Sequence, residues 1–106
     1  METNITDENF EKEISGSDLP VLVDFFAVWC DPCTILGPIL EKVAKEFEGK
    51  LRLIKANVNE IPVTSQKFRI EQIPTVVLFE KGKAVNGFIG LRSEEDVRKW
   101  LGDLIK

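Results

Sequence analysis

Hydrophobic residues along this chain follow two spacings, one typical of helices and the other typical of buried strands. Spacings of three and four residues predict a first helix that is capped by Thr6 or Asp7 and ends at residue 15, and a second helix at about 32–47. They also predict a shorter helix at 63–68 and a last helix that is capped by Ser93. Runs rich in apolar residues predict strands at 21–27, 51–58, 75–79 and 84–89. Helices and strands therefore alternate, and a turn at residues 80–83 joins the last two strands.

This alternation predicts an α/β fold with a central mixed sheet that is covered by helices on both faces. The runs at 21–27 and 75–79 contain almost no charged residues, which is typical of strands buried on both sides. The turn at residues 80–83 predicts that the last two strands pair antiparallel. A chain of 106 residues has the length of one domain, so we expect residues 1–106 to form a single domain.

Composition and charge narrow the classes of function. The chain is 43% apolar and 30% charged, its net charge is −4, and its basic residues are scattered among acidic ones. It therefore lacks the basic stripe of a nucleic-acid-binding protein. No apolar run has the length of a membrane span, and the N-terminus lacks the pattern of a signal peptide. We therefore expect a cytoplasmic protein that contacts neither nucleic acid nor membrane.

The two cysteines of the chain, Cys30 and Cys33, carry the strongest chemical signal. They lie directly after a predicted strand and at the start of a predicted helix. Backbone N–H groups and the helix dipole favour negative charge there, so we expect Cys30 to ionise more readily than a free thiol. We also expect Cys30 to be the more exposed of the two. An activated thiol beside a second thiol predicts thiol–disulfide exchange.

The chain contains no histidine, which excludes His-based acid–base chemistry and Cys–His zinc sites within one chain. A structural zinc site takes four ligands, and Cys30 and Cys33 supply only two. We therefore expect neither a metal nor another cofactor. Two alternatives stay open, a zinc ion shared between two copies of the chain and a pair of inert buried cysteines.

Asp24 is the one polar residue of a predicted strand that is otherwise apolar. A buried carboxylate costs free energy unless it is paired or protonated. Asp24 is therefore either at a sheet edge that faces water or a buried acid with a raised pKa. Buried acids in apolar strands are rare, which favours a functional role. Lys55, in the next predicted strand, is by periodicity alone an ordinary strand lysine.

Several motifs occur in order and are spread over the whole chain. They are the segment 23–33, which ends in Trp29-Cys30-Asp31-Pro32-Cys33, then Pro38, Lys55, Ile73-Pro74-Thr75, Gly82 and Gly90. This set resembles the thioredoxin family. The resemblance implies the thioredoxin fold, with a central five-stranded mixed β-sheet flanked by four α-helices. It also implies a protein-disulfide reductase in which Cys30 is the attacking thiol and Cys33 is the resolving thiol.

The resemblance also implies roles for residues around the two cysteines. Asp24 is expected to relay a proton to or from Cys33, with Lys55 as its charged neighbour. The peptide bond before Pro74 is expected to be cis, with the Ile73 backbone free to pair with an extended substrate. The remaining residues expected at this substrate-binding surface are Trp29, Asp31, Pro32 and Gly90. The implied partners of the monomer are proteins with disulfides and a thioredoxin reductase-type electron donor.

Three residues depart from the family pattern. Asp31 replaces the usual glycine, Phe26 replaces the usual second aromatic residue of the strand, and Gln72 replaces a small residue. The charge of Asp31 is expected to disfavour the neighbouring Cys30 thiolate and raise the pKa of that thiol, which makes the protein more reducing. The alternative is that Asp31 is a solvated helix-starting residue whose charge is screened.

Two further functions stay open on the sequence. The first reverses the direction of the reaction, so that the protein is a disulfide oxidase or isomerase, and the missing signal peptide argues against it. The second is a binding module with a thioredoxin-like surface, in which the dithiol is incidental.

Overall fold

The helices and strands form in the predicted order. A computed structural model describes residues 4–105. Its elements are α1 (Phe10–Ser15), β1 (Val21–Phe26), α2 (Asp31–Glu46), β2 (Arg52–Asn57), a short 3₁₀ helix (Val58–Glu60), α3 (Pro62–Lys67), β3 (Thr75–Glu80), β4 (Lys83–Ile89) and α4 (Glu94–Leu104). No helix in this part of the chain is long and apolar enough to cross a membrane.

The strands form one mixed sheet in the order β2-β1-β3-β4. β1 pairs parallel with β2 and antiparallel with β3, and β3 pairs antiparallel with β4, as predicted for the hairpin. Residues 4–105 thus contain four strands, and the fifth strand implied by the resemblance is wrong for this part of the chain. β1 lies inside the sheet, with a partner on each side.

The segment ahead of α1 explains why that helix starts later than predicted. The Thr6 N–H donates to Asn9 Oδ1 at 2.8 Å, and the Asn9 N–H donates to Thr6 Oγ1 at 3.2 Å. This exchange of hydrogen bonds folds the segment into a turn. The turn lies directly ahead of the helix, and α1 begins only at Phe10.

Two other helices begin at a side chain that accepts their free backbone N–H groups. In α4, Ser93 Oγ accepts the Asp96 N–H at 3.1 Å, as the predicted cap does. The predicted cap of α1 by Asp7 is wrong, because this carboxylate lies at the start of α3. There its two oxygens accept the N–H groups of Val63 at 3.3 Å and Thr64 at 2.8 Å.

The two faces of the sheet carry separate hydrophobic cores. Side chains alternate along β1, so Val23 and Phe25 lie on one face, and Leu22 and Asp24 lie on the other. The first face is covered by buried residues that include Phe10 and Ile14 of α1. The second face is covered by α2 and α4 through Leu36, Leu40, Val43, Val97 and Leu101. Asp24 therefore lies on the face that α2 covers.

Candidate active site

The cysteines stand at the N-terminus of α2, as predicted, and are joined by a disulfide with their Cα atoms 5.3 Å apart. Cys30 has an extended backbone and caps the helix, and its Sγ accepts the Cys33 N–H at 3.2 Å. Asp31 and Pro32, both exposed, form the start of the helix. Proline suits this position because the first helical N–H groups have no intrahelical partner. The local sequence thus directs a helix N–H at the sulfur of Cys30.

The two cysteines are equally buried, with 5% of each residue exposed. They pack with the buried Ala27 and with neighbours that include Ile73 and Phe26. The prediction that Cys30 is the more exposed cysteine is therefore wrong for the disulfide form, because both sulfurs are enclosed by the same cluster. The two cysteines therefore differ in their position on α2 and not in their exposure.

Exposed apolar side chains lie just before Cys30 in the chain and on both sides of Gly90. Trp29 is 69% exposed, so it is a surface residue and not part of the core. Val28 beside it is 70% exposed and was not identified from the sequence. Ile89 and Leu91, which flank Gly90, are also exposed.

The Ile73–Pro74 peptide bond is cis, as predicted, and Ile73 packs against the cysteine cluster. The carbonyl oxygen of Pro74 accepts the Gly90 N–H at 2.8 Å, which fixes Gly90 next to this segment. Gly90 has a φ of +92°, a conformation that favours glycine, and a Cβ added there would meet no atom within 4 Å. The structure thus brings two of the predicted substrate-binding segments together.

Asp24 is a buried acid, and the hypothesis that it faces water at a sheet edge is wrong. β1 lies between two strands, so Asp24 is not at an edge, and only 1% of the residue is exposed on the face that α2 covers. Neither carboxyl oxygen has a hydrogen-bond partner within residues 4–105. Burial raises the pKa of Asp24 from 3.8 to about 6, against the opposing charge of Lys55 and with a smaller raising effect from Glu41. The carboxyl can therefore gain or lose a proton near neutral pH.

Lys55 is the registered partner of Asp24 on β2, so the structure brings these two predicted site residues together. Its Nζ forms an ion pair with Glu41 Oε2 at 3.1 Å and lies 5.4 Å from the centre of the Phe26 ring. Sequence reasoning missed Glu41. The available signal was its position eight residues after Cys33, which places both residues on one side of α2.

Comparisons with known proteins point to one family. The family model described as Thioredoxin matches residues 2–103. A thioredoxin of Rickettsia bellii is 43% identical over 105 residues, which covers 99% of this chain and all of the relative. A thioredoxin of Alicyclobacillus acidocaldarius is 42% identical over 96% of each chain, and thioredoxin 2 of Chlorobaculum tepidum is 42% identical over 94% of this chain and 92% of its own.

Proposed function

The chain belongs to the thioredoxin family and is a protein-disulfide reductase, and from this premise we propose that Cys30 attacks the substrate and Cys33 resolves the intermediate. The observation that carries this assignment is the hydrogen bond from the Cys33 N–H to Cys30 Sγ. A helix N–H directed at a sulfur stabilises the thiolate, and the thiolate is the nucleophile. Cys33 lies inside α2 and not at its N-cap, so it lacks this position at the end of the helix.

The proposed reaction proceeds by two thiol–disulfide exchanges. The Cys30 thiolate attacks one sulfur of the substrate disulfide, a new S–S bond forms, and the other substrate sulfur leaves as a thiolate. The Cys33 thiolate then attacks Cys30 Sγ and releases the second substrate sulfur. The substrate gains two electrons and two protons, and the protein dithiol is oxidised to the Cys30–Cys33 disulfide. The next cycle needs a two-electron donor, for which we propose a thioredoxin reductase-type protein.

We propose that Asp24 exchanges a proton with the Cys33 thiol, which must lose its proton before it can attack. An acid whose pKa is about 6 is mostly ionised near neutral pH, so it can accept that proton and return it later. The remaining support is position, since Asp24 lies on the sheet face that α2 covers and Cys33 lies in the first turn of α2. Lys55 contributes its charge beside this carboxyl.

For the substrate, we propose an extended peptide that lies across Ile73, Pro74 and Gly90. The open space at Gly90 allows close approach of a backbone, and the exposed ring of Trp29 offers apolar contact beside Cys30. Asp31 and Pro32 border the same surface. The partners are thus proteins with accessible disulfides. We further propose a monomer that acts in the cytoplasm.

The direction of the reaction is tested by the reduction potential of the Cys30–Cys33 couple. We expect a value at or below about −270 mV, the level of thioredoxins, rather than near −180 mV, the level of disulfide isomerases. The measurement equilibrates the protein with glutathione or dithiothreitol and follows the fluorescence of Trp29. A value near the higher level would favour an oxidase or isomerase instead.

Replacing Asp31 with asparagine or glycine is expected to lower the pKa of the Cys30 thiol. The exposed carboxylate at the start of α2 repels the thiolate next to it, and the effect is limited to about half a pH unit because solvent screens the charge. The measurement is the pH dependence of thiolate absorbance near 240 nm in the reduced protein. Glu71→Gln, at another exposed acid, is the control. An unchanged or raised pKa would mean that Asp31 only helps to start the helix.

A further inference from the structure

The side chain of Lys55 does not pair with the carboxylate that faces it. Asp24 and Lys55 are registered partners on adjacent parallel strands, and registered side chains project from the same face of a sheet. Within residues 4–105, however, the Asp24 oxygens accept no hydrogen bond, and the ion pair of Lys55 is with Glu41. The buried acid is thus left without the cation that the strand register offers it.

The surface of α2 explains how the lysine reaches Glu41. Cys33, Gly37 and Glu41 follow one another at intervals of four, so they lie along one side of the helix. A Cβ added to Gly37 would lie 3.4 Å from Lys55 Nζ, so the lysine side chain passes closely over this glycine. The Glu41 side chain is 53% exposed and that of Lys55 is 30% exposed, which places the ion pair at the solvent rim of the site.

We propose that Glu41 is a positioning residue that holds the Lys55 ammonium group at the rim of α2 and thereby keeps it from pairing with the buried Asp24 carboxyl. This inference rests on the proposed function, in which Asp24 exchanges a proton with Cys33. A direct Lys55–Asp24 ion pair would lower the pKa of the carboxyl, which would make the carboxylate a weaker acceptor of the Cys33 proton.

The charges around Asp24 support this assignment. Lys55 faces it from β2 and Glu41 faces it from α2, which also carries the cysteines, while its registered neighbour on β3 is the apolar Val76. Burial dominates the raised pKa of Asp24, Lys55 opposes the rise, and Glu41 adds to it. Loss of Glu41 removes one acid and frees one cation, and both changes favour the ionised carboxylate.

The test is a double-mutant cycle that compares the titration midpoint of Asp24 among variants. The midpoint is measured by NMR of the Asp24 carboxyl carbon in the full-length reduced protein. We expect Glu41→Gln to lower the midpoint by about one pH unit and Lys55→Met to raise it. In the Lys55→Met background, Glu41→Gln should lower the midpoint by less than half as much, because no cation remains to be released. Glu48→Gln, at an exposed glutamate just beyond α2, should leave the midpoint unchanged.

Equal shifts in both backgrounds would overturn the inference, because Glu41 would then act through its own charge. An unmoved midpoint in Glu41→Gln would overturn it as well. The pH dependence of disulfide reduction separates this inference from the proposed function. If the Asp24 midpoint shifts and the pH dependence of the reduction rate shifts with it, both the role of Glu41 and the proposed function are supported. A shifted midpoint with an unchanged rate profile supports the role of Glu41 and contradicts the role of Asp24 in proton exchange.

Discussion

Replacing Cys33 with serine is expected to stop the reaction at the mixed disulfide and to lower turnover by about a thousandfold or more. In the intact protein the second thiol is held one helical turn from the first, with the Cα atoms 5.3 Å apart, so its attack is intramolecular. Serine cannot perform that attack, and the substrate stays bound to Cys30. Mass spectrometry after mixing with a disulfide-bonded test protein should detect the adduct, and a reducing agent should release it.

Cys30→Ser is the matched variant, since it loses the attacking sulfur and should show the same loss of turnover without an adduct. Both cysteines are equally buried, so the two substitutions disturb the packing to a similar degree. An adduct on Cys33 in the Cys30→Ser protein would reverse the two roles. Full activity in the variant that lacks both sulfurs would favour the binding-module hypothesis, in which the dithiol is incidental.

Replacing Asp24 with asparagine is expected to stabilise the protein by about 3 kcal/mol at pH 8 and to have little effect at pH 4. Burial raises the pKa of this carboxyl from 3.8 to about 6. Below the lower value the acid is protonated in both the folded and the unfolded chain, so its charge costs nothing. Between pH 3.8 and about 6 the unfolded chain has lost this proton while the folded chain still holds it, so stability falls as the pH rises and then levels off above about 6. Asparagine removes that loss.

The measurement is denaturant unfolding of the Asp24→Asn and unchanged proteins, both as the disulfide, across this pH range. The asparagine amide is polar at every pH, so its own cost of burial cancels in the pH dependence. A difference in stability that stays constant from pH 4 to pH 8 would contradict a raised pKa. The same variant should reduce disulfides about tenfold more slowly or worse near pH 7, because Cys33 loses its proton acceptor.

The sequence predicts the parts of the fold that depend on local patterns. Apart from the start of α1, the element boundaries lie within one residue of the prediction, because apolar spacing and helix-capping residues such as Ser93 act over a few positions. The start of α1 depends instead on which of two competing caps forms. Thr6 pairs with Asn9, and Asp7 turns to α3 more than fifty residues away.

In the candidate site too, the features that depend on local sequence can be predicted, and those that depend on packing between distant elements cannot. The cysteine pair and its helix follow from adjacent residues, and the burial of Asp24 follows from the apolar strand around it. The ion pair between Glu41 and Lys55 cannot be predicted from adjacent residues, because it depends on how α2 lies over β2. In the sequence alone, Glu41 is one of many charged residues on a helix surface. The exposure of Val28 likewise depends on the path of a loop that no local pattern fixes.

The place of β1 in the sheet also bears on how the chain is made. Its parallel partner β2 ends at Asn57, but its antiparallel partner β3 is complete only at Glu80. Synthesis proceeds from the N-terminus, so β1 has at most one neighbour until Glu80 has left the ribosome. During that interval its other edge presents the unpaired backbone of an almost wholly apolar strand. We therefore expect one edge of β1 to stay open to pairing with other chains until the third strand emerges.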